Sequence, residues 1–234
     1  MTPVRLPTNH SNTFTGKFPS LKMKRMISYE STLEKDFIYL LDYDQCISEY
    51  EEQPVNIEYY VNGKKHHYIP DFLAIIDYQK WIFECKPEIF VNNEENLQKF
   101  QAARYFCSKN SWQFLVITDE MIRGGFYLRN VKYLTTFARI AVPSEIRLRL
   151  LNLLFNEVNP IPISEVEVKL TNYDRAQTLP ALFYMTYFHE ISMPIHDEPI
   201  SPKTFIRMNN RKGNDNGQLP FFLRDAVYLE GSGV

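Results

Sequence analysis

The chain reads as a mixed α/β protein, with a sheet-centred first half and a smaller, helix-rich second half. Two observations predict this. Short apolar runs bounded by turn residues recur between positions 55 and 118, interleaved with stretches of helical periodicity. After Gly124-Gly125 the pattern changes to amphipathic segments separated by proline-containing breaks. A length of 234 residues with 44% hydrophobic and 15% aromatic content suits two folded cores and excludes global disorder.

The elements of the first half follow in order. Residues 1–27 carry Arg5, Lys17, Lys22, Lys24 and Arg25 among Pro, Ser, Asn and Thr, with no acid and no periodicity, and are expected to form a flexible basic arm. Ser31-Thr32-Leu33-Glu34 is a capping-box pattern that opens a helix over 31–43, with Leu33, Phe37, Leu40 and Leu41 on its buried face. Strands are predicted near 55–61, 66–76 and 81–86, with Asn62-Gly63 as the turn between the first two. A helix near 94–109 and a strand near 112–118 complete an α/β sandwich around a mixed sheet, its many aromatics read as core. The corresponding domain is expected to span 28–125.

In the second half, 130–137 and 144–155 read as helices, the latter with an apolar stripe of Ile146, Leu150, Leu153 and Leu154. Pro160-Ile161-Pro162 breaks the chain. A helix over 164–170, a turn at Asn172-Tyr173-Asp174, a long helix over 178–190 and a hairpin over 191–208 follow. Pro194, Pro199 and Pro202 confine that hairpin to sheet edges or a wing. Helix, helix, hairpin is the order of a winged helix, so 126–212 is expected to be a winged-helix-like α+β domain. The tail, 213–234, turns apolar at 219–223 and 226–229; such a segment docks on its own body or on a partner, which makes it a candidate partner-docking segment.

Several function classes are disfavoured at once. No apolar run approaches the ~20 residues that span a bilayer, and no apolar leader precedes a small-residue cleavage site, so neither a membrane protein nor a secreted one is expected. Cys46, Cys85 and Cys107 are far apart and the five histidines form no metal pair, so neither a disulfide framework nor a zinc site is expected. A net charge of −2 argues against a general nucleic-acid coat protein. Charge is unevenly distributed, however. A second acid-free cluster, Lys203, Arg207, Arg211 and Lys212, joins the N-terminal one, and two such clusters at the edges of a core fit phosphate contacts.

The chemistry-bearing pattern is Pro70-Asp71, then apolar Phe72 to Ile76, a polar turn, Trp81 to Phe83, and Glu84-Cys85-Lys86. In a hairpin of this size Asp71 lies close to Glu84 and Lys86, which share one strand face while Cys85 points oppositely. Two carboxylates beside a lysine are what a magnesium-dependent phosphodiesterase needs: Mg²⁺ takes oxygen ligands and keeps several waters, and the lysine orients or helps deprotonate the attacking one. The alternative is a surface hairpin with a stray Asp and an ordinary Glu–Lys pair. Glu34 is the candidate third acid on the preceding helix, with Glu30 as its rival. Glu34 also has a purely structural reading, as a cap reaching back to the Ser31 N–H.

The run Glu30-Ser31-Thr32-Leu33-Glu34-Lys35-Asp36-Phe37, then Tyr50-Glu51-Glu52-Gln53-Pro54, Tyr68-Ile69-Pro70-Asp71-Phe72 and Glu84-Cys85-Lys86-Pro87, resembles the catalytic domain of the TnsA family over roughly residues 28–122. TnsA proteins are restriction-endonuclease-like subunits of heteromeric, cut-and-paste transposases. The resemblance implies a restriction-endonuclease-like mixed sheet flanked by helices, followed by a winged-helix-like domain. Glu34, Asp71, Glu84 and Lys86 fall on the family's catalytic positions. Some members carry Gln where this chain has Glu84. By the same likeness Glu34, Asp71, Glu84 and the backbone carbonyl of Cys85 would hold Mg²⁺, with Mn²⁺ able to substitute, and Gln53 belongs to the matching segment. The implied activity is nicking of double-stranded donor DNA at the 5′ ends of a transposon. A TnsB-like DDE transposase would make the 3′ cuts, under a TnsC-like AAA+ regulator, in the bacterial cytoplasm and on the nucleoid; a CRISPR-associated element is one setting. Two rival readings stay open: a stand-alone restriction or repair nuclease of the same fold, and a noncatalytic DNA-binding assembly subunit.

Overall fold

The computed structural model describes residues 14–170, 175–209 and 219–223. Two compact units divide the chain, one formed by residues 1–122 with 214–234 and the other by residues 123–213.

The first unit begins with β1 (Gly16–Pro19) and β2 (Met26–Tyr29), an antiparallel pair. Residues 14–27, expected to be part of a flexible arm, are therefore folded. Their order comes from contacts distant in sequence, which the local pattern does not reveal. Arg25 makes a two-pronged ion pair with buried Glu52, at 2.9 and 2.7 Å. The Lys22 ammonium donates to the carbonyls of Leu41 and Asp44, at 2.6 and 2.5 Å. Asp42 accepts hydrogen bonds from the Ser20 hydroxyl, the Tyr50 hydroxyl and the Leu21 N–H. Two of the basic residues read as phosphate contacts are thus engaged in the fold; Arg5, like Arg211 and Lys212, lies outside the described residues.

Helix α1 (Thr32–Tyr43) starts where the capping pattern places it, with the Ser31 side chain accepting from the Glu34 N–H. Strand β3 (Ile47–Glu52) follows, an element the sequence does not announce. Among its residues only Ile47, Tyr50 and Glu52 are buried, and a bulge between Ile47 and Glu49 breaks the two-residue period. The strand expected over 66–76 is in fact two. Its first part, β5 (Lys64–Tyr68), pairs with β4 (Ile57–Val61) in a separate two-stranded sheet, and its second is β6 (Phe72–Ile76). Pro70, which has no N–H to donate, stands in the break. Both two-residue hairpin turns use left-handed backbone: Asn62 and Gly63 at φ 50° and 74°, and Asp77 and Tyr78 at 48° and 64°.

Strand β7 (Gln79–Lys86), helix α2 (Glu94–Asn110) and strand β8 (Gln113–Thr118) complete the sheet. Its order is β3-β6-β7-β8, antiparallel except for the β7–β8 pair, because α2 carries the chain back across the sheet before β8. Phe37 of α1 packs on Phe72 and Phe83. The opposite face buries Leu73 and Ile82 against Phe100, Ala103 and Cys107 of α2, together with Ile57 and Tyr68. The result is a mixed sheet flanked by helices, a restriction-endonuclease-like fold. The short α3 (Asp119–Arg123) follows β8. Leu219–Leu223 also belong to this unit: Phe222 and Leu223 are buried, and the Phe221 N–H donates to Asp44 at 3.4 Å. Of the two dockings open to the apolar tail, this part takes the one on its own body.

The second unit contains α4 (Tyr127–Thr135), α5 (Ser144–Asn156), β9 (Ile161–Pro162), α6 (Ile163–Lys169), α7 (Arg175–Tyr187), β10 (Ile191–Ser192) and β11 (Phe205–Met208). The 191–208 hairpin is shorter than expected, and β9 joins it to give the sheet order β10-β11-β9. Buried Asn130 holds the connection between β10 and β11: its amide donates to the carbonyls of Ile195 and Glu198 and its oxygen accepts from the Ile200 N–H. The turn at 172–174 and residues 210–218 and 224–234 lie outside the described residues.

Candidate active site

The β6–β7 register determines where the motif residues meet. Phe72 pairs with Phe83, so one further step along the antiparallel ladder sets Asp71 opposite Glu84. Asp71 Oδ2 accepts from the Cys85 N–H at 2.7 Å. Lys86 Nζ lies 3.1 Å from Glu84 Oε1, on the same strand face. Asp71, Glu84, Cys85 and Lys86 are thus brought together at one end of the hairpin. The bland reading of a surface Glu–Lys pair does not hold, because Glu84 is only 4% exposed.

Glu34 reaches this group electrostatically and is anchored locally. Its Oε2 accepts from the backbone N–H of Glu30 at 2.6 Å, one residue before the Ser31 N–H that an ideal capping box would use. Burial raises its carboxyl above the usual range, the hydrogen bonds from Glu30 and Ser31 oppose that, and the charges of Glu30 and Glu84 add to it. Asp71 is driven well above the ordinary aspartate range by burial, then by the charges of Glu84 and Glu34; the Cys85 N–H and the Lys86 charge only partly offset this. Burial works against the Lys86 ammonium, but Glu84 and Asp71 outweigh it and hold the lysine charged. Glu34, Asp71 and Glu84 therefore share one field that is short of positive charge.

Two residues that the motif alone does not assign complete the surroundings. The Tyr68 hydroxyl donates to Glu84 Oε2 at 2.8 Å. Burial and the charges of Glu84 and Asp71 push that phenol far above its ordinary pKa, so it remains a donor. Its only sequence signal is its position just before Pro70-Asp71. Gln53 adopts left-handed backbone at φ 49°, donates its N–H to the Asp71 carbonyl at 2.8 Å, and donates its side-chain amide to Glu30 at 3.0 Å. Glu30, the rival acid, is thereby engaged with Gln53.

Among the described residues no group of three or more His, Cys, Asp or Glu side chains is drawn close enough to hold a metal ion. The reason is visible in the pairings: Glu84 is turned toward Lys86 and Tyr68, Asp71 toward the Cys85 N–H, and Glu34 toward Glu30. The donor chemistry nevertheless suits a hard divalent cation, which takes oxygen ligands. Partly buried carboxylates that raise one another's proton affinity are stabilised by added positive charge. The side-chain oxygen of Gln53 is also buried without a hydrogen-bond partner, which leaves an acceptor for a donor such as a metal-bound water.

A mixed sheet with this carboxylate–lysine hairpin at its centre defines a restriction-endonuclease-like domain. Residues 44–119, which include β3, the hairpin and β8, match the family model described as TnsA-like endonuclease N terminal. Over this segment the chain is similar to a TnsA-like endonuclease N-terminal domain. No curated protein matches the chain.

Proposed function

We propose that this protein is a Mg²⁺-dependent DNA endonuclease that cleaves donor DNA at the 5′ ends of a transposon. The observation that carries the reading is the shared field of Glu34, Asp71 and Glu84 beside Lys86 on a TnsA-like domain. Asp71, Glu84 and the Cys85 carbonyl would hold the cation, with Glu34 completing that site or a second one. A cation bound there supplies Lewis-acid charge for the scissile phosphate and lowers the pKa of a bound water. The remaining work falls to the chain itself. Lys86, held protonated, orients the attacking water and offsets charge developing on the phosphate oxygens. Tyr68 holds Glu84 in place through its hydroxyl, and the Cys85 N–H does the same for Asp71.

The second unit is read as a winged helix. Its element order, α5, β9, α6, α7, β10 and β11, and its sheet order, β10-β11-β9, support this. Partners in the proposal are a DDE transposase that makes the 3′ cuts and an AAA+ regulator, both implied by the TnsA-like domain.

The deciding experiment reconstitutes excision with a DDE transposase and an AAA+ regulator as candidate partners, in Mg²⁺, and sequences the donor ends. Wild-type protein should release 5′ ends, and Asp71→Ala should shift products from simple insertion toward cointegrate. Cleavage of 5′ ends by Asp71→Ala at the wild-type rate would refute the site. Efficient cutting by the isolated protein would favour a stand-alone nuclease, and assembly without any 5′ cut would favour a noncatalytic subunit.

A further inference from the structure

The site carboxylates are each tied to one aromatic cluster. Glu34 lies one helical turn before Phe37, Asp71 directly precedes Phe72, and Glu84 directly follows Phe83. Those rings meet: the Phe37 centroid is 5.8 Å from Phe72 and 5.3 Å from Phe83, both edge-on. The ring that closes the cluster comes from the far end of the chain. Phe222, 5% exposed, packs edge-on against Phe37 at 5.2 Å and Phe83 at 6.2 Å. It therefore bridges α1, which carries Glu34, and β7, which carries Glu84 and Lys86. Its neighbour Phe221 is tied by its N–H to Asp44, the residue that ends α1, and Leu223 is fully buried.

We propose that Phe222 is a positioning residue for the carboxylate cluster, a wedge that sets α1 against β7 and so sets Glu34 relative to Glu84. The inference rests on the nuclease reading for its activity arm only. Packed interiors do not deform continuously, so removing one ring of a close-packed cluster lets the helix shift on the sheet. A carboxylate displaced by a fraction of an ångström loses both metal affinity and alignment. The family match ends at residue 119, whereas the residue that braces its site lies after the whole second unit.

The test compares full-length wild type, Phe222→Ala and Phe222→Leu by Mn²⁺ titration calorimetry, thermal melting and single-turnover cleavage in the reconstituted system. Phe222→Ala should bind Mn²⁺ about tenfold more weakly and cut at least about tenfold more slowly, as loss of a supporting residue does. The protein concentration for half-maximal single-turnover cleavage should stay within about twofold, because Phe222 is buried and offers almost no surface for DNA to touch. Phe222→Leu, which keeps apolar volume in the slot, should recover most of both values. A Phe222→Ala protein that melts cooperatively and keeps wild-type Mn²⁺ affinity and rate would overturn the proposal. If Phe222→Ala fails to fold, wild-type Mn²⁺ affinity and rate in a folded Phe222→Val protein, whose smaller side chain leaves the slot part-empty, would overturn it equally. Weaker Mn²⁺ binding in a system where the wild type cuts nothing would support the positioning role while removing the nuclease reading.

Discussion

Arg25→Ala isolates the contribution of the N-terminal segment to the first unit. Arg25 forks onto both oxygens of Glu52, and Glu52 is only 3% exposed and also accepts from the Ser28 N–H at 3.1 Å. Removing one partner of a buried ion pair costs about 3–5 kcal/mol, because the other charge is left unpaired. The Arg25 side chain is 30% exposed, so solvent softens the loss and the lower end, about 3 kcal/mol, applies. The gap between wild type and Arg25→Ala should accordingly be about 3 kcal/mol at pH 7. Urea unfolding followed by tryptophan fluorescence measures it cleanly, since the two tryptophans, Trp81 and Trp112, both lie in the first unit. A gap under about 1 kcal/mol at pH 7 would refute this reasoning, since that is what an exposed pair contributes.

Two further predictions follow from the same electrostatics. Glu34→Gln should abolish 5′ cleavage without lowering the melting temperature, because it removes a charge that burial and its acidic neighbours disfavour. It should also flatten the stability the wild type loses as pH rises through the elevated Glu34 pKa, whereas Glu30→Gln should cut almost normally; the reverse pattern in a paired cleavage and melting series would make Glu30 the third acid. Lys22 has its pKa lowered to about 8 by burial, against the pull of Asp44 and Asp42. Between about pH 8 and 10.5 the unfolded chain holds that proton more tightly, so stability should rise with pH across this window, and Lys22→Met should remove the rise in urea titrations.

The sequence by itself determined the elements whose signals are local. Ser31 and Glu34 mark the start of α1 because a cap is a contact within one turn, and Asn62-Gly63 marks its hairpin because few residues accept left-handed backbone. The Asp71 and Glu84-Cys85-Lys86 spacing was readable for the same reason: a tight hairpin makes near neighbours in sequence into neighbours across the ladder. Tertiary structure alone decided what rests on distant partners. β1, β2 and β3 carry no clear apolar period and are held by partners such as Asp42 for Ser20 and Glu52 for Arg25. The Tyr68 hydroxyl on Glu84, the left-handed backbone of Gln53 and the engagement of Glu30 with it have no pattern of their own. Phe222 is the extreme case. Its apolar neighbourhood was visible, but which surface it would cover depends on a slot built from Phe37 and Phe83, and those two rings come together only when helix and sheet have packed.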